Sequence, residues 1–148
     1  MVKLVSACLL GVKCRYDGTS AREPKLLRLA KRERLVPICP EQLGGLRTPR
    51  EPAWIVGGDG SDVLKGGAKV VSRSGGDVTE NFRRGAEEAL RVAKLFGARE
   101  AILKARSPSC GCGKIREPFS FDKLKDGDGV TAALLKKNGI RVITEEDL

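Results

Sequence analysis

Residues 2–8 read VKLVSAC, a short apolar and partly β-branched run that ends on a cysteine. Val2 to Ala7 has the composition of a buried strand. The same arrangement recurs twice. Leu35 to Ile38 is a second strand candidate and stops at Cys39, although Pro37, lacking an amide hydrogen, argues against a central position. Ala101 to Leu103 is an apolar strand core that leads into Ser107-Pro108-Ser109-Cys110. Helical patterns lie between these runs. Glu23 to Arg34 places Leu26, Leu29 and Ala30 on one face, with Pro24 suited to a first helical position and a basic opposite face. Asp77-Val78-Thr79-Glu80 is a capping-box pattern. It predicts a helix to about Phe96, stopped by Gly97, with Phe82, Ala86, Ala89, Leu90, Ala93 and Phe96 on one face. Thr131 to Lys137 is helical and closes at Asn138-Gly139, and Ile140 to Ile143 is a last strand. Ala68 to Ser72 is a further strand. Glu41 to Asp59 reads as an ordered loop anchored by Trp54 and Ile55, and a long loop follows Cys110. The alternation predicts one α/β domain over residues 1–148, a mainly parallel sheet flanked by helices in Rossmann-like layers.

In such a sheet the carboxyl ends of parallel strands share one edge, and ligands bind in the crevice there. Cys8, Cys39 and Cys110 are therefore expected to converge. Iron–sulfur clusters are held by thiolates, normally four for a cubane. Three would leave one iron open, as three protein ligands leave catalytic zinc open to water or substrate. A four-cysteine zinc site lacks its paired spacings, since Cys110-Gly111-Cys112 is one residue too tight. The competing reading is that each cysteine simply packs, as buried free cysteines often do.

Composition narrows the chemistry. The chain has 148 residues, 32% of them charged, with 28 Lys plus Arg against 19 Asp plus Glu, a formal excess of +9. It has no histidine and five cysteines. Ser-His-Asp and Cys-His machinery is excluded, as is any imidazole-held zinc. Acid–base work must fall to a carboxylate, lysine or cysteine. An odd number of cysteines cannot all pair within one chain, so the thiols suit a reducing cytoplasm. Val5-Ser6-Ala7-Cys8 resembles a lipoprotein cleavage box, but the residues before it are too few, and interrupted by Lys3, for a signal peptide. No window reaches the roughly 18 apolar residues of a membrane span.

Six segments in order, SACLLG (6–11), RYDG (15–18), CPEQLGGL-x-TPR (39–50), GGDG (57–60), SPSCG (107–111) and GDGVTAALL (127–135), resemble the thiouracil desulfidase family across nearly the whole chain. The resemblance implies a [4Fe-4S] cluster held by Cys8, Cys39 and Cys110, and removal of sulfur from thiolated uracil to leave uracil and sulfide. It places the family's catalytic glutamate at Glu41 and its catalytic serine at Ser107. On this reading Glu41 activates water and Ser107 positions substrate or relays a proton. Cys14 and Cys112 fall outside the carried-over ligands and read as incidental loop thiols, although Cys112 is close enough to Cys110 in sequence to offer a fourth thiolate.

The +9 excess favours anionic partners. A free base, nucleoside or nucleotide is preferred over transfer RNA, because aromatic residues are only 4% and stacking platforms are scarce. The glycine-rich segments match no phosphate-loop pattern, although GDGVTAALL could offer a helix N-terminus to an anion. Two rival classes stay open: an RNA-binding module with structural cysteines, and a thiol redox protein using Cys110 and Cys112.

Overall fold

The computed structural model describes residues 1–148. In chain order it contains β1 (Val2–Ser6), a 3-10 turn (Ala7–Leu10), α1 (Pro24–Leu29), β2 (Arg34–Ile38), α2 (Pro40–Leu43), β3 (Ala53–Val56), α3 (Gly60–Lys65), β4 (Lys69–Ser72), α4 (Thr79–Phe96), β5 (Glu100–Leu103), β6 (Lys114–Arg116), β7 (Leu124–Asp126), α5 (Val130–Lys137), β8 (Arg141–Thr144) and a closing 3-10 turn (Glu145–Asp147). The main sheet has the order β2-β1-β5-β8 and every pairing in it is parallel.

Alternation along the central strands sends side chains to opposite faces. Leu4, Ala101 and Leu103 face Ala89 and Ala93 of α4 and Ala132 and Leu135 of α5. Val5 and Ile102 face Leu9 and Leu26 on the other side. Strands covered on both faces are read in sequence as unbroken apolar runs, which is why β1 and β5 were legible. Fully burying each such Leu, Ile or Val contributes about 1.5–3 kcal/mol. A satellite core of Ile55, Val63, Val70, Phe82, Ile115 and Val130 ties β3, β4 and α3 to the flank of α4.

Several expectations are corrected. α1 ends at Leu29, short of Arg34, because Arg34 is drawn into β2 to pair with Val2. Pro37 sits in β2 as foreseen, and β2 is an edge strand. The Glu41–Asp59 segment is not all loop: it contains α2 and β3, the latter carrying the buried Trp54 and Ile55. β4 pairs antiparallel with β3 in a separate two-stranded sheet. The loop after Cys110 contains the β6–β7 hairpin. Val78, without a side-chain cap, starts α4, and Asp77 instead accepts a hydrogen bond from the Thr79 amide. Phe96 is exposed at the end of that helix. No helix is long and apolar enough to cross a membrane.

Candidate functional site: a thiol-lined cleft at the sheet edge

The carboxyl ends of β1, β2 and β5 open into one cleft, which encloses about 730 Å³ with its mouth included. Cys8, Cys39, Cys110, Glu41 and Ser107 all line it. Each arrives by a local device. Cys8 lies in the 3-10 turn that continues β1 and is closed by left-handed Gly11 (φ 99°). Cys39 follows β2 directly and starts α2, with Pro40 at the first helical position. α2 in turn rests on α4 through two glycines: the Pro40 carbonyl sits over Gly85, and the Asn81 carbonyl over Gly44. Arg106 holds a left-handed backbone (φ 73°), a conformation that disfavours L side chains, where the chain leaves β5 for the Ser107–Cys110 loop. The first amides of α5 anchor that loop: Val130 donates to the Pro108 carbonyl at 2.8 Å and Thr131 to the Ser109 carbonyl at 2.8 Å. The N-terminus of α5 is therefore occupied by protein and does not serve an anion.

The thiols are free. Ser6 Oγ donates to Cys110 Sγ at 3.3 Å, and is itself fixed by the Lys104 amide at 2.9 Å. Burial pushes the Cys110 thiol up to about 12, against the pull of its hydrogen bonds from Ser6 and Ser109. Contact with the Cys14 thiol, then burial, holds Cys39 far above the ordinary thiol range. No three Cys, Asp or Glu side chains converge closely enough to hold a single metal ion. A cubane cluster makes a different demand, because each thiolate binds its own iron and the ligand sulfurs stand apart by the size of the cluster.

Glu41 is held at both oxygens. Arg50 Nε donates to Oε1 at 3.0 Å, and Ser109 Oγ donates to Oε2 at 2.9 Å. Arg50 also donates to Thr48 Oγ1 and to the Cys14 carbonyl, joining the loop after β1 to the turn that carries Cys39 and Glu41. Ser107 Oγ accepts from the Cys110 amide at 2.8 Å and lies 3.4 Å from Ser109 Oγ. A line of hydroxyls thus runs from Ser107 through Ser109 to Glu41.

Sequence reasoning missed several members of this site. Ser109 is buried, and its importance depends on Glu41, distant in the chain. Arg15, Arg50 and Arg116 line the cleft; Arg15 and Arg50 fall within the RYDG and TPR segments, which assign them no role, and nothing in the sequence marks Arg116 among 28 basic residues. Arg50 is paired with Glu41, whereas no side-chain hydrogen bond or ion pair engages Arg15 or Arg116. Desolvation and the nearby Arg15 lower the pKa of Arg116. Tyr16, Trp54 and Phe121 form an aromatic rim, with the Trp54 and Phe121 centroids 5.5 Å apart.

The two extra cysteines separate. Cys112 turns away, donates to the Val142 carbonyl and lies beside Lys136, so it offers no thiolate to the cleft and forms no pair with Cys110. Cys14 lines the cleft, 2% exposed, touching both Cys39 and Cys8. The Cys39 contact lowers its pKa, but the Cys8 contact and burial outweigh that and raise it to about 11.

Comparison with known proteins agrees with this architecture. The chain is 52% identical over 145 residues to the uncharacterized protein YbbK of Bacillus subtilis (strain 168), covering 98% of this chain and 96% of that one. A solved structure described as the [4Fe-4S]-dependent thiouracil desulfidase TudS superposes with a TM-score of 0.85 at 44% identity, covering 98% of this chain and 91% of its own. The model of the 2-thiouracil desulfurase family matches residues 4–147, and the chain belongs to that family.

Proposed function

We propose that this protein is a [4Fe-4S]-dependent enzyme that removes sulfur from thiolated uracil, releasing sulfide and the oxo pyrimidine. The observation that carries the proposal is the meeting of Cys8, Cys39 and Cys110 with Glu41 in one cleft at the sheet edge, in a member of this family. The donor set fits the group. The three free thiols reach one cavity from three adjacent strands, one already accepts a hydroxyl hydrogen bond, and no histidine competes.

Cys8, Cys39 and Cys110 would hold the cluster, which when bound supplies an iron with affinity for the thiocarbonyl sulfur. Glu41 is the base. Each carboxylate oxygen has two lone pairs, so Arg50 and Ser109 leave one on each oxygen for a water. Arg50 aims the carboxylate through its hydrogen bond to Oε1. The carboxylate takes the water proton as the oxygen attacks the ring carbon. Ser107, whose oxygen already accepts from the Cys110 amide, has its own proton free to donate, either to Ser109 or to a ligand in the cleft. This is the route by which a proton held on Glu41 returns toward the departing sulfur.

The unpaired Arg15 and Arg116 support a substrate that carries an anionic group, and the rim of Tyr16, Trp54 and Phe121 supports an aromatic ring. A nucleotide satisfies both demands, and an enclosed cleft suits it better than a strand of transfer RNA. Unpaired cysteines at the site suit the cytoplasm.

Anaerobic iron–sulfur reconstitution with a 4-thiouracil turnover assay tests the reading. Sulfide and uracil are expected only from the cluster-loaded protein. Glu41→Gln is expected to keep the cluster absorbance and lose about 10²–10⁴-fold in turnover. Full activity in Glu41→Gln would remove its assigned role, and turnover by iron-free protein would remove the whole proposal.

A further inference from the structure

Ser6 is a polar residue where the sheet calls for an apolar one. It ends β1 two residues after Leu4, so by strand alternation it shares the face of that core leucine. At 2% exposure it is shielded from solvent. Its hydroxyl has one hydrogen to give and two lone pairs with which to accept. The Lys104 amide, just past β5, donates to one lone pair at 2.9 Å. The hydrogen has one acceptor within reach, Cys110 Sγ at 3.3 Å. Ser109 Oγ also lies 3.7 Å from that sulfur, but its single hydrogen has the shorter path to Glu41 Oε2 at 2.9 Å. Ser6 is thus the hydroxyl committed to the Cys110 sulfur. A serine that served only the Lys104 amide would have no need to aim its hydrogen at a residue 104 positions later.

From this geometry we infer that Ser6 is a positioning residue that acts through Cys110: its hydroxyl donates to the ligand sulfur and raises the reduction potential of the proposed cluster. The inference rests on the cluster reading and deepens it. Hydrogen bonds to ligand sulfurs are among the features that set the potential of an iron–sulfur group. A donor facing a thiolate stabilises negative charge there, and such a charge-assisted bond is about twice as strong as a neutral one. The electron-richer state gains most, so the potential rises. The bond is rigid because both of its ends are tied to one pair of strands: Ser6 lies in β1, and Lys104, which fixes the hydroxyl, follows β5, the parallel neighbour of β1. The same withdrawal of charge leaves an open iron a better acceptor for the thiocarbonyl sulfur.

Wild type, Ser6→Ala, Ser6→Gly and Ser6→Thr are reconstituted anaerobically. Iron content is measured, and a redox titration followed by electron paramagnetic resonance gives each reduction potential. Ser6→Ala and Ser6→Gly lack the hydroxyl and are expected to be harder to reduce, with the one-electron equilibrium constant lower by about tenfold, or about 59 mV. Ser6→Thr keeps the hydroxyl and is expected to stay with wild type. A role confined to the Lys104 amide would change stability or iron content and leave the potential in place. Unchanged potentials in the hydroxyl-free variants overturn the assignment, as does an equal fall in Ser6→Thr. If one hydroxyl-free variant takes up a cluster and the other does not, the loaded one decides. If neither does, the hydroxyl serves the fold rather than the sulfur, and the assignment is again overturned. Each of these failures leaves the desulfurase reading intact. Failure of wild type to take up any four-iron cluster defeats that underlying proposal instead, so the two failures are told apart.

Discussion

Gly85→Ala is the sharpest test of how the fold places the site. Gly85 lies inside α4, where alanine is ordinarily better than glycine by about 1 kcal/mol. Here a Cβ would sit 1.9 Å from the Pro40 carbonyl oxygen and 2.8 Å from its carbon, whereas ordinary contact begins at 3.4 Å. Both obstructing atoms are backbone, so no side chain can swing aside. α2 must retreat by about 1.5 Å, carrying Cys39 and Glu41, which flank Pro40. Overpacking of this kind costs about 1–3 kcal/mol, and its upper half applies when backbone must move. After the gain in helix propensity the net loss is about 1–2 kcal/mol, or about 3–6 °C in Tm for a chain of this length. Displacing a catalytic group by about 1 Å reduces rate by about 10²-fold. Thermal unfolding followed by circular dichroism reads the first effect, and turnover of the reconstituted enzyme reads the second. Glu87→Ala, on the exposed face of the same helix, is the control and should change neither. A Gly85→Ala protein as stable and as active as wild type would refute the argument that the α2–α4 contact positions the site.

Three further outcomes are expected. Ser109→Ala removes the donor to Glu41 Oε2 and interrupts the hydroxyl line; turnover should fall about tenfold or more with little change in KM, since a hydrogen bond to a charged group contributes about 1.5–3 kcal/mol. Arg116→Ala should raise KM about 10–100-fold for a thiolated nucleotide and leave it unchanged for the free base, the same hydrogen-bond magnitude now being lost on the anionic group alone; steady-state kinetics on both substrates checks it. Asp17, Asp62 and Asp77 have pKa values lowered chiefly by hydrogen bonds, from the Thr19 hydroxyl, the Asp59 amide and the Thr79 hydroxyl. A depressed folded-state pKa gives stability that is present above the unfolded value of about 3.9 and lost as pH falls through the folded value. Stability followed by denaturant titration should therefore hold down to about pH 4 and drop below it, and Asp77→Asn should flatten that drop.

The sheet was legible because β1 and β5 are buried on both faces and must be continuously apolar. The convergence of Cys8, Cys39 and Cys110 then followed from strand direction alone. The β6–β7 hairpin was not legible: its three-residue strands, Lys114–Arg116 and Leu124–Asp126, carry charges and bury one apolar side chain, Ile115. β3 hid inside a Gly- and Pro-rich stretch because only Trp54 and Ile55 face a core. The site was half visible. The three cysteines stood out by their places after strands, whereas Glu41 was marked only by the family resemblance. Ser109, Arg50 and Arg116 are common residue types that acquire meaning only from what lies opposite them in space. The placement of Cys14 was hidden for the same reason: its loop has no periodicity, and the fold alone brings it against Cys8 and Cys39.

The order of strands also sets a timetable. Cys8 and Cys39 come from neighbours β1 and β2, but Cys110 hangs from β5, which pairs with the other side of β1. A chain emerging from the ribosome has made two thirds of its length before the last of these strands exists, and Cys110 follows it. Iron captured earlier would find two or three crowded thiols on one side of an unfinished sheet. Cofactor delivery to this protein therefore belongs after synthesis, to a folded recipient whose cleft is already shaped.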